Sequence, residues 1–269
     1  MEHLSTLFGE AYTAKKSTVN ELVNGNSYLQ IHASRISLTA LYAEDFFRGS
    51  ARILEIGFSD IFHKIYLNQC VSWDYTSFRD PSKFPTPCAR ETLLQIGASS
   101  IQAKSIEYIV NLEDEPMPCA SSTYNAVLCT EVIEHMACDP MFLMAELNRI
   151  LKKNGKLILT TPNSTSARIF HKIASGYMPS FYMNYTRDRS LYKHNYEYCP
   201  HSIRSLIEAA GFTIRTLEAV DTFNEPVPSA LEMLKAIGMS TDLRGDNLFI
   251  LANKTNDGIL NRYPDLVYS

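Results

Sequence analysis

The chain has 269 residues, 45% of them apolar and 20% charged, with a formal net charge of -4. This is an ordinary globular composition, long enough for one sizeable core, and the slight acidity excludes a global basic field that would recruit nucleic acid. The six cysteines form no CxxC pair and no apolar run is long enough to span a bilayer, which argues against a disulfide framework, a thiolate zinc site or a membrane segment. The opening MEHLSTLFGEAYTAKK lacks a signal-peptide layout, so a cytoplasmic location is expected.

Residues 1–24 read as an arm, mobile or helical. From 26 to 49 apolar residues recur at helical spacing (Leu29, Ile36, Leu38, Leu41, Phe46, Phe47), and Gly49 suits a helix stop. RILEIG (52–57) reads as a buried strand, 60–69 as a helix and VSWDY (71–75) as a second strand. After a Pro-rich loop come SIEYIVN (105–111) and YNAVLCT (124–130), the third and fourth strands. A helix is expected over 139–155: Asp139 can cap it, Pro140 suits its first position, Lys152 and Lys153 its C-terminal end, and Gly155 its stop. KLILTTPN (156–163) is a fifth strand. A helix over 202–212 closes at Gly211, and strands at 213–220 and 247–254 follow, with Gly245 and Asp246 turning the chain before the last. Strands alternating with helices give an α/β fold, a mainly parallel sheet with helices on both faces. Ligands of such sheets bind beyond the carboxyl ends of the strands, so Glu55 to Asp60 is the first place to look. The expected organisation is an N-terminal helical arm or lid (1–48), a ligand-binding domain (49–255) and a C-terminal tail (256–269). Within the domain, residues 164–200 form a long insertion rich in aromatics (Phe170, Tyr177, Phe181, Tyr182, Tyr185, Tyr192, Tyr196, Tyr198), read as a substrate lobe.

ILEIG, WDY, NLEDEPMP, YNAVLCTEVIEHM, LNRILKKNGKLILTTPN and AAGF occur in this order. Together they resemble the class I S-adenosylmethionine (SAM)-dependent methyltransferases over about residues 50–255. The resemblance implies a Rossmann-like seven-stranded sheet and SAM as cofactor. Gly57 lacks a Cβ and permits close approach of a ligand, and SAM has no phosphate that would need further glycines. Glu55 and the helix start are expected to meet the methionine part. Asp74, 17 residues after Gly57, is expected at the end of the second strand, where it would accept the ribose hydroxyls; Ser59 and Tyr75 are counted with this site. The resemblance places Asn111 and Leu112 at the adenine, and Cys129, Thr130 and Glu131 at the sulfonium. Ser59 and Asp60 stand where the family has small residues, which keeps a non-catalytic SAM-binding scaffold as an alternative.

Glu131, Glu134 and His135 stand at i, i+3 and i+4, one face if helical, and His194 follows 59 residues after His135. In the favoured reading His135 or His194, with Glu134 beside them, is a general base for methyl transfer to a hydroxyl, less readily an amine, of a small molecule or sugar intermediate. In a second, Glu131, Glu134, His135 and His194 hold a divalent metal that binds substrate hydroxyls. That set resembles the small-RNA 3′-end 2′-O-methyltransferases and, in its E-x-x-E-H part, the ubiquinone-biosynthesis O-methyltransferases. In a third, Glu134 and His135 only stabilise a loop. The acidic balance, with basic clusters only at 167–172 and 187–194, weighs against nucleic acid.

Overall fold

The computed structural model describes residues 2–66, 72–78, 85–95, 102–179 and 193–268. Among them, strands β1 (Arg52–Ile56), β2 (Ser72–Ser77), β3 (Cys88–Gln95), β4 (Gln102–Ile109), β5 (Tyr124–Thr130), β6 (Leu151–Pro162), β7 (Phe212–Val220) and β8 (Asn247–Lys254) form one sheet in the order β3-β4-β2-β1-β5-β6-β8-β7. The run from β4 to β6 is parallel, β8 lies antiparallel between β6 and β7, and β3 is antiparallel to β4. The strand order reverses beside β1, so the crevice at the carboxyl ends of β1 and β5 is the switch point where a ligand fits.

Helices α1 (Glu2–Leu22), α2 (Ser27–Ile31), α3 (Ala33–Phe46) and α4 (Phe62–Tyr66) precede β2; α5 (Pro140–Ile150), α6 (Ala167–Ala174), α7 (Pro200–Ala209) and α8 (Pro228–Ala236) follow β5. Alternation along the central strands divides the core. Leu54, Ile56, Val127, Leu157 and Leu159 face α5 and α7 through Leu143, Leu147, Ile203 and Ile207. Ile53, Ala126, Leu128 and Ile158 face the other way, onto Ile36 and Ala40 of α3 and Val19 of α1. The N-terminal arm is therefore packed on the sheet as one of its layers.

Two boundaries differ from expectation. The sheet has an eighth strand, β3, in the stretch read as a Pro-rich loop. It is an edge strand in which Leu94 is the one buried side chain, so it carries no apolar alternation; the ladder to β4 and an ion pair from Arg90 to the buried Glu107 hold it. The helix begins as expected, with Asp139 capping Met141 N and Pro140 in the first turn, but it ends at Ile150. Leu151 is already extended and pairs with Tyr124, and residues up to Lys156 loop out before pairing resumes. Asn154 supplies the left-handed residue of this turn (φ 60°), and a Cβ on Gly155 would lie 2.7 Å from the Lys152 carbonyl. Gly155 thus serves a tight turn between helix and strand, and Arg149 takes the cationic place in the last helical turn.

Gly57 is constrained twice: its φ is 73°, and a Cβ there would stand 2.9 Å from Val132 Cγ2. Gly57→Ala should therefore cost about 1–2 kcal/mol for the left-handed backbone and more for the overlap. In urea unfolding, adding Val132→Ala should recover the overlap part. An equal loss in both backgrounds would assign the whole effect to φ.

Candidate active site

The turn after β1 is held by side chains rather than by glycines. Glu55 is fully buried, and its carboxylate accepts from Ser59 N (2.9 Å), Ser59 Oγ and Trp73 Nε1 (2.9 Å). Gly57 N donates to Thr76 Oγ1 and Phe58 N to the Thr76 carbonyl. Ser59 thus ties the loop back onto β1, and Asp60 turns outward to Lys64 at 3.1 Å. Phe58 lies with its ring on Tyr75, centroids 4.0 Å apart, and also lines the cleft described below.

Two expected cofactor residues lie elsewhere. Asp74 is in the middle of β2, level with Leu54, rather than at its end. Its buried carboxylate accepts from Tyr124 Oη (2.9 Å), Ile106 N (2.9 Å) and Arg52 Nη2 (3.3 Å). The strand runs on to Ser77, so the edge position expected of the acid falls three residues later. Cys129 is enclosed in the core between sheet and helices, where burial and the nearby Glu134 and Glu131 push its thiol up. Asn111 and Leu112 do follow β4, in a turn where Asn111 N donates to Glu115. Thr130 closes β5 at the carboxyl edge.

Glu131 follows with left-handed backbone (φ 53°). Its Oε1 accepts from Thr160 Oγ1 and Asn247 Nδ2, at 2.8 and 3.0 Å. The expected helical face is instead a single 3₁₀ turn, Ile133–His135. His194 reaches this turn because its loop is stapled there. The Glu134 carbonyl accepts from Asn195 N and Tyr196 N, the His135 carbonyl from Asn195 Nδ2, and His135 Nδ1 donates to the Lys193 carbonyl. One ligand atom each from Glu134, His135 and His194 then lies within 4.8 Å of the others, and the two imidazole rings are 5.0 Å apart. Glu131 stands outside this trio.

The trio has the donor chemistry of a divalent-metal site. Glu134 is fully buried, its Oε2 accepts from Thr161 Oγ1, and its Oε1 has no hydrogen-bond partner among the described residues. Each imidazole faces an oxygen acceptor through Nδ1, His135 the Lys193 carbonyl and His194 the Glu197 carboxylate, both at 3.1 Å. That fixes Nδ1–H in each ring and leaves Nε2 as a lone pair, the arrangement that orients metal-ligating histidines. Burial and the charge of Glu131 raise the Glu134 carboxyl well above its usual range; burial lowers His135, with His194 adding to it. A cation in the middle would offset the first shift by favouring the carboxylate, and the second already leaves the imidazole neutral, the form that ligates a metal.

The trio opens on a cleft of about 1210 Å³, larger than a typical single-ligand site. Tyr28 and His32 of the arm form one wall with Phe223; Arg168 and Lys172 of α6, and Lys193, bring cations to it. Tyr28, His32 and Phe223 were not legible as site residues, because strand-end motifs say nothing of which distant elements close over them; Arg168, Lys172 and Lys193 belong to the two basic clusters read at 167–172 and 187–194. Of the insertion's aromatics, Tyr198 is core and Tyr177 is exposed, while Phe181, Tyr182, Tyr185 and Tyr192 lie outside the described residues. Most of the basic cluster at 187–194 lies outside them too.

Residues 35–217 match the methyltransferase-domain family. The chain belongs to that family, as a class I SAM-dependent methyltransferase. No curated protein matches the sequence. Among solved structures, one similar fold is a Burkholderia thailandensis 1,6-didemethyltoxoflavin-N1-methyltransferase holding 1,6-didemethyltoxoflavin and S-adenosylhomocysteine (12% identity, 91% of this chain and 89% of that one, TM-score 0.51). Others are a SAM-dependent methyltransferase of Methanosarcina mazei (13%, 79% and 96%, 0.50) and the [4+2]-cyclase SpnF (14%, 91% and 94%, 0.51). At these identities the likeness is one of fold. No helix among the described residues is long and apolar enough to cross a membrane.

In this methyltransferase the Glu55 lock has a pH signature. Burial raises its carboxyl from 4.5 to about 7 although three donors pull the other way. The folded state then holds the proton more tightly than the unfolded one, so stability is lost as pH rises from about 4.5 to about 7. Relative to Glu55→Gln, the wild-type urea midpoint should fall across that window. Parallel curves would show that Glu55 titrates as an ordinary carboxylate.

Proposed function

We propose that this methyltransferase transfers the SAM methyl group to a hydroxyl of a vicinal diol held at a divalent metal ion, and that the diol is the terminal ribose of an RNA strand. The observation that carries the proposal is the convergence of Glu134, His135 and His194, with the unpaired buried oxygen of Glu134 among their donor atoms. This promotes the metal reading over the metal-free one that the sequence favoured. A divalent ion at such a site supplies Lewis acidity and lowers the pKa of a hydroxyl beside it. SAM supplies the electrophilic methyl.

The protein's own part is placement. Glu134, His135 and His194 would hold the ion. The Lys193 carbonyl and Glu197 engage the two rings through Nδ1, which would leave each Nε2 for the ion. The carboxyl-edge residues Gly57, Phe58, Tyr75, Asn111, Leu112, Thr130 and Glu131 border the proposed cofactor position, with Glu55 and Ser59 shaping its loop from behind. In-line transfer rests on alignment, and residues anchored on strand ends supply it. Three features support RNA as the acceptor: the likeness of Glu134, His135 and His194 to three of the four residues in the set of the small-RNA 2′-O-methyltransferases, the cations Arg168, Lys172 and Lys193 beside the cleft, and the rings of Tyr28 and Phe223, suited to stacking an unpaired base. Local cations decide contact with one or two terminal phosphates, whatever the net charge of -4.

A second reading keeps a small-molecule or sugar hydroxyl as acceptor and His135 as general base. It is favoured by the engagement of His135 through Nδ1, which leaves Nε2 beside the Glu134 carboxyl at 4.0 Å, and by the lowered pKa that keeps the ring neutral.

With SAM and manganese, a short single-stranded RNA ending in a 2′,3′-diol should be methylated, and the same strand ending in 2′-deoxyribose or a 3′-phosphate should not. Chelator should abolish the reaction; full activity in chelator would remove the metal, and equal turnover of a free nucleoside or sugar diol would remove the RNA. His194→Ala should weaken manganese binding in calorimetry at least about tenfold, and unchanged affinity would take His194 out of the site.

A further inference from the structure

His194 lies 59 residues beyond His135, so contacts between its loop and the turn Ile133–His135 have to hold the two imidazoles 5.0 Å apart. The Lys193 carbonyl and the Tyr196 amide contribute as main-chain groups, which nearly any residue would supply. Asn195 contributes twice. Its N donates to the Glu134 carbonyl at 2.8 Å, and its Nδ2 donates to the His135 carbonyl at 2.7 Å. One residue thus grips two successive carbonyls of the turn. A single hydrogen bond leaves a loop free to pivot about it, and a second one beside it fixes the rotation. The residue whose direction this rotation sets is the chain neighbour, His194. Glu197 meets His194 Nδ1 at 3.1 Å from within the same loop. It therefore orients the ring on the loop, whereas Asn195 orients the loop on the turn. The Asn195 side chain is exposed, so it adds little to the core. The loop's packing comes from the other side, where buried Tyr198 meets the ring of Tyr196 with centroids 4.8 Å apart.

We infer that Asn195 is a positioning residue: its two-point clasp sets His194 against His135 and Glu134, so that the three can share one divalent cation. The inference rests on the metal reading proposed above. A ligand constellation works only when held within about 0.5 Å and 10–20°. The ligand atoms of the trio lie within 4.8 Å of one another, and a loop that pivots would open that spacing first at His194. The acceptors of the clasp are the carbonyls of Glu134 and His135 themselves, so the bonds run between ligand-bearing residues rather than through a third element. Losing the amide group of Asn195 leaves all three donor side chains in place and changes how well they converge. Partners that orient ligands in this way affect metal affinity nearly as much as the ligands do.

The test compares Asn195→Ala with Tyr196→Phe, which removes the hydroxyl that ties the same loop to the Leu266 carbonyl. Calorimetry gives the affinities for manganese and for S-adenosylhomocysteine, and histidine-labelled protein gives the NOE between the ring protons of His135 and His194. Asn195→Ala should weaken manganese binding about tenfold or more and abolish the NOE. Its S-adenosylhomocysteine affinity should stay within about twofold of wild type, and its Tm should move by no more than about 4 °C, as fits one exposed hydrogen bond. Tyr196→Phe should keep both manganese affinity and the NOE. The inference is overturned if Asn195→Ala retains wild-type manganese affinity and the NOE. It is overturned as well if Tyr196→Phe weakens manganese binding as much as Asn195→Ala does, which marks general loosening of the loop. Wild-type protein that binds no manganese overturns the metal reading instead. The NOE then decides on Asn195 alone: its loss in Asn195→Ala upholds the clasp, and its survival removes it.

Discussion

One carboxylate, buried where β5 ends, organises the site. Glu134 is removed from water, one of its oxygens is satisfied by Thr161 and the other by nothing among the described residues. Leaving a buried carboxylate oxygen unpaired carries a penalty of about 1–3 kcal/mol or more. A sequence that keeps it gains something elsewhere, and the position of the two imidazoles indicates what. The same residue also does structural work through its main chain: its carbonyl receives two amides from the loop that carries His194. Side chain and backbone of Glu134 therefore draw one distant histidine to the same place.

The 3₁₀ turn and the β1 loop are mechanically linked. Val132 leads into the turn, and its methyl occupies the space a Cβ on Gly57 would need. Gly57 thus admits a neighbouring side chain as well as a left-handed backbone. Ser59, whose size suggested a spoiled glycine loop, is used to bind Glu55 from above. The loop is rigidified by a buried carboxylate with three donors, so it needs no further glycines. The cofactor loop and the proposed metal turn are two sides of one packed contact.

What the sequence made legible followed from local rules. Buried strands announce themselves as apolar runs, and the Asp139–Pro140 start of α5 follows from capping chemistry. Family motifs at the strand ends located the crevice. What was illegible needed three dimensions. Asp74 looks like a ribose acid by spacing, but β2 runs on to Ser77 and leaves the carboxylate inside the sheet, bonded to Tyr124. β3 has one buried side chain and so no amphipathic signal. Gly155 follows a helical pattern like a stop, yet Leu151 had already been claimed by pairing with Tyr124. His32 stands at the start of a helix whose pattern speaks only of burial; that it closes one wall of the cleft is a tertiary fact.

The fold by itself does not choose a reaction. The same layered sheet is shared with an N-methyltransferase and with a [4+2]-cyclase, so the acceptor must be argued from side chains. Here those side chains come from the elements and loops around the sheet as well as from its carboxyl edge. The arm supplies Tyr28 and His32; the stretch after β6 supplies Arg168, Lys172, Lys193 and His194; the loop after β7 supplies Phe223. The turn after β5 brings Glu134 and His135 to the carboxyl edge, and the surrounding segments complete it with a second histidine, a cationic rim and aromatic walls. A small hydroxyl compound would be gripped by a few of these groups. In the proposed reading an extended acceptor with a terminal diol, a base and phosphates would engage more of these groups than a small sugar would.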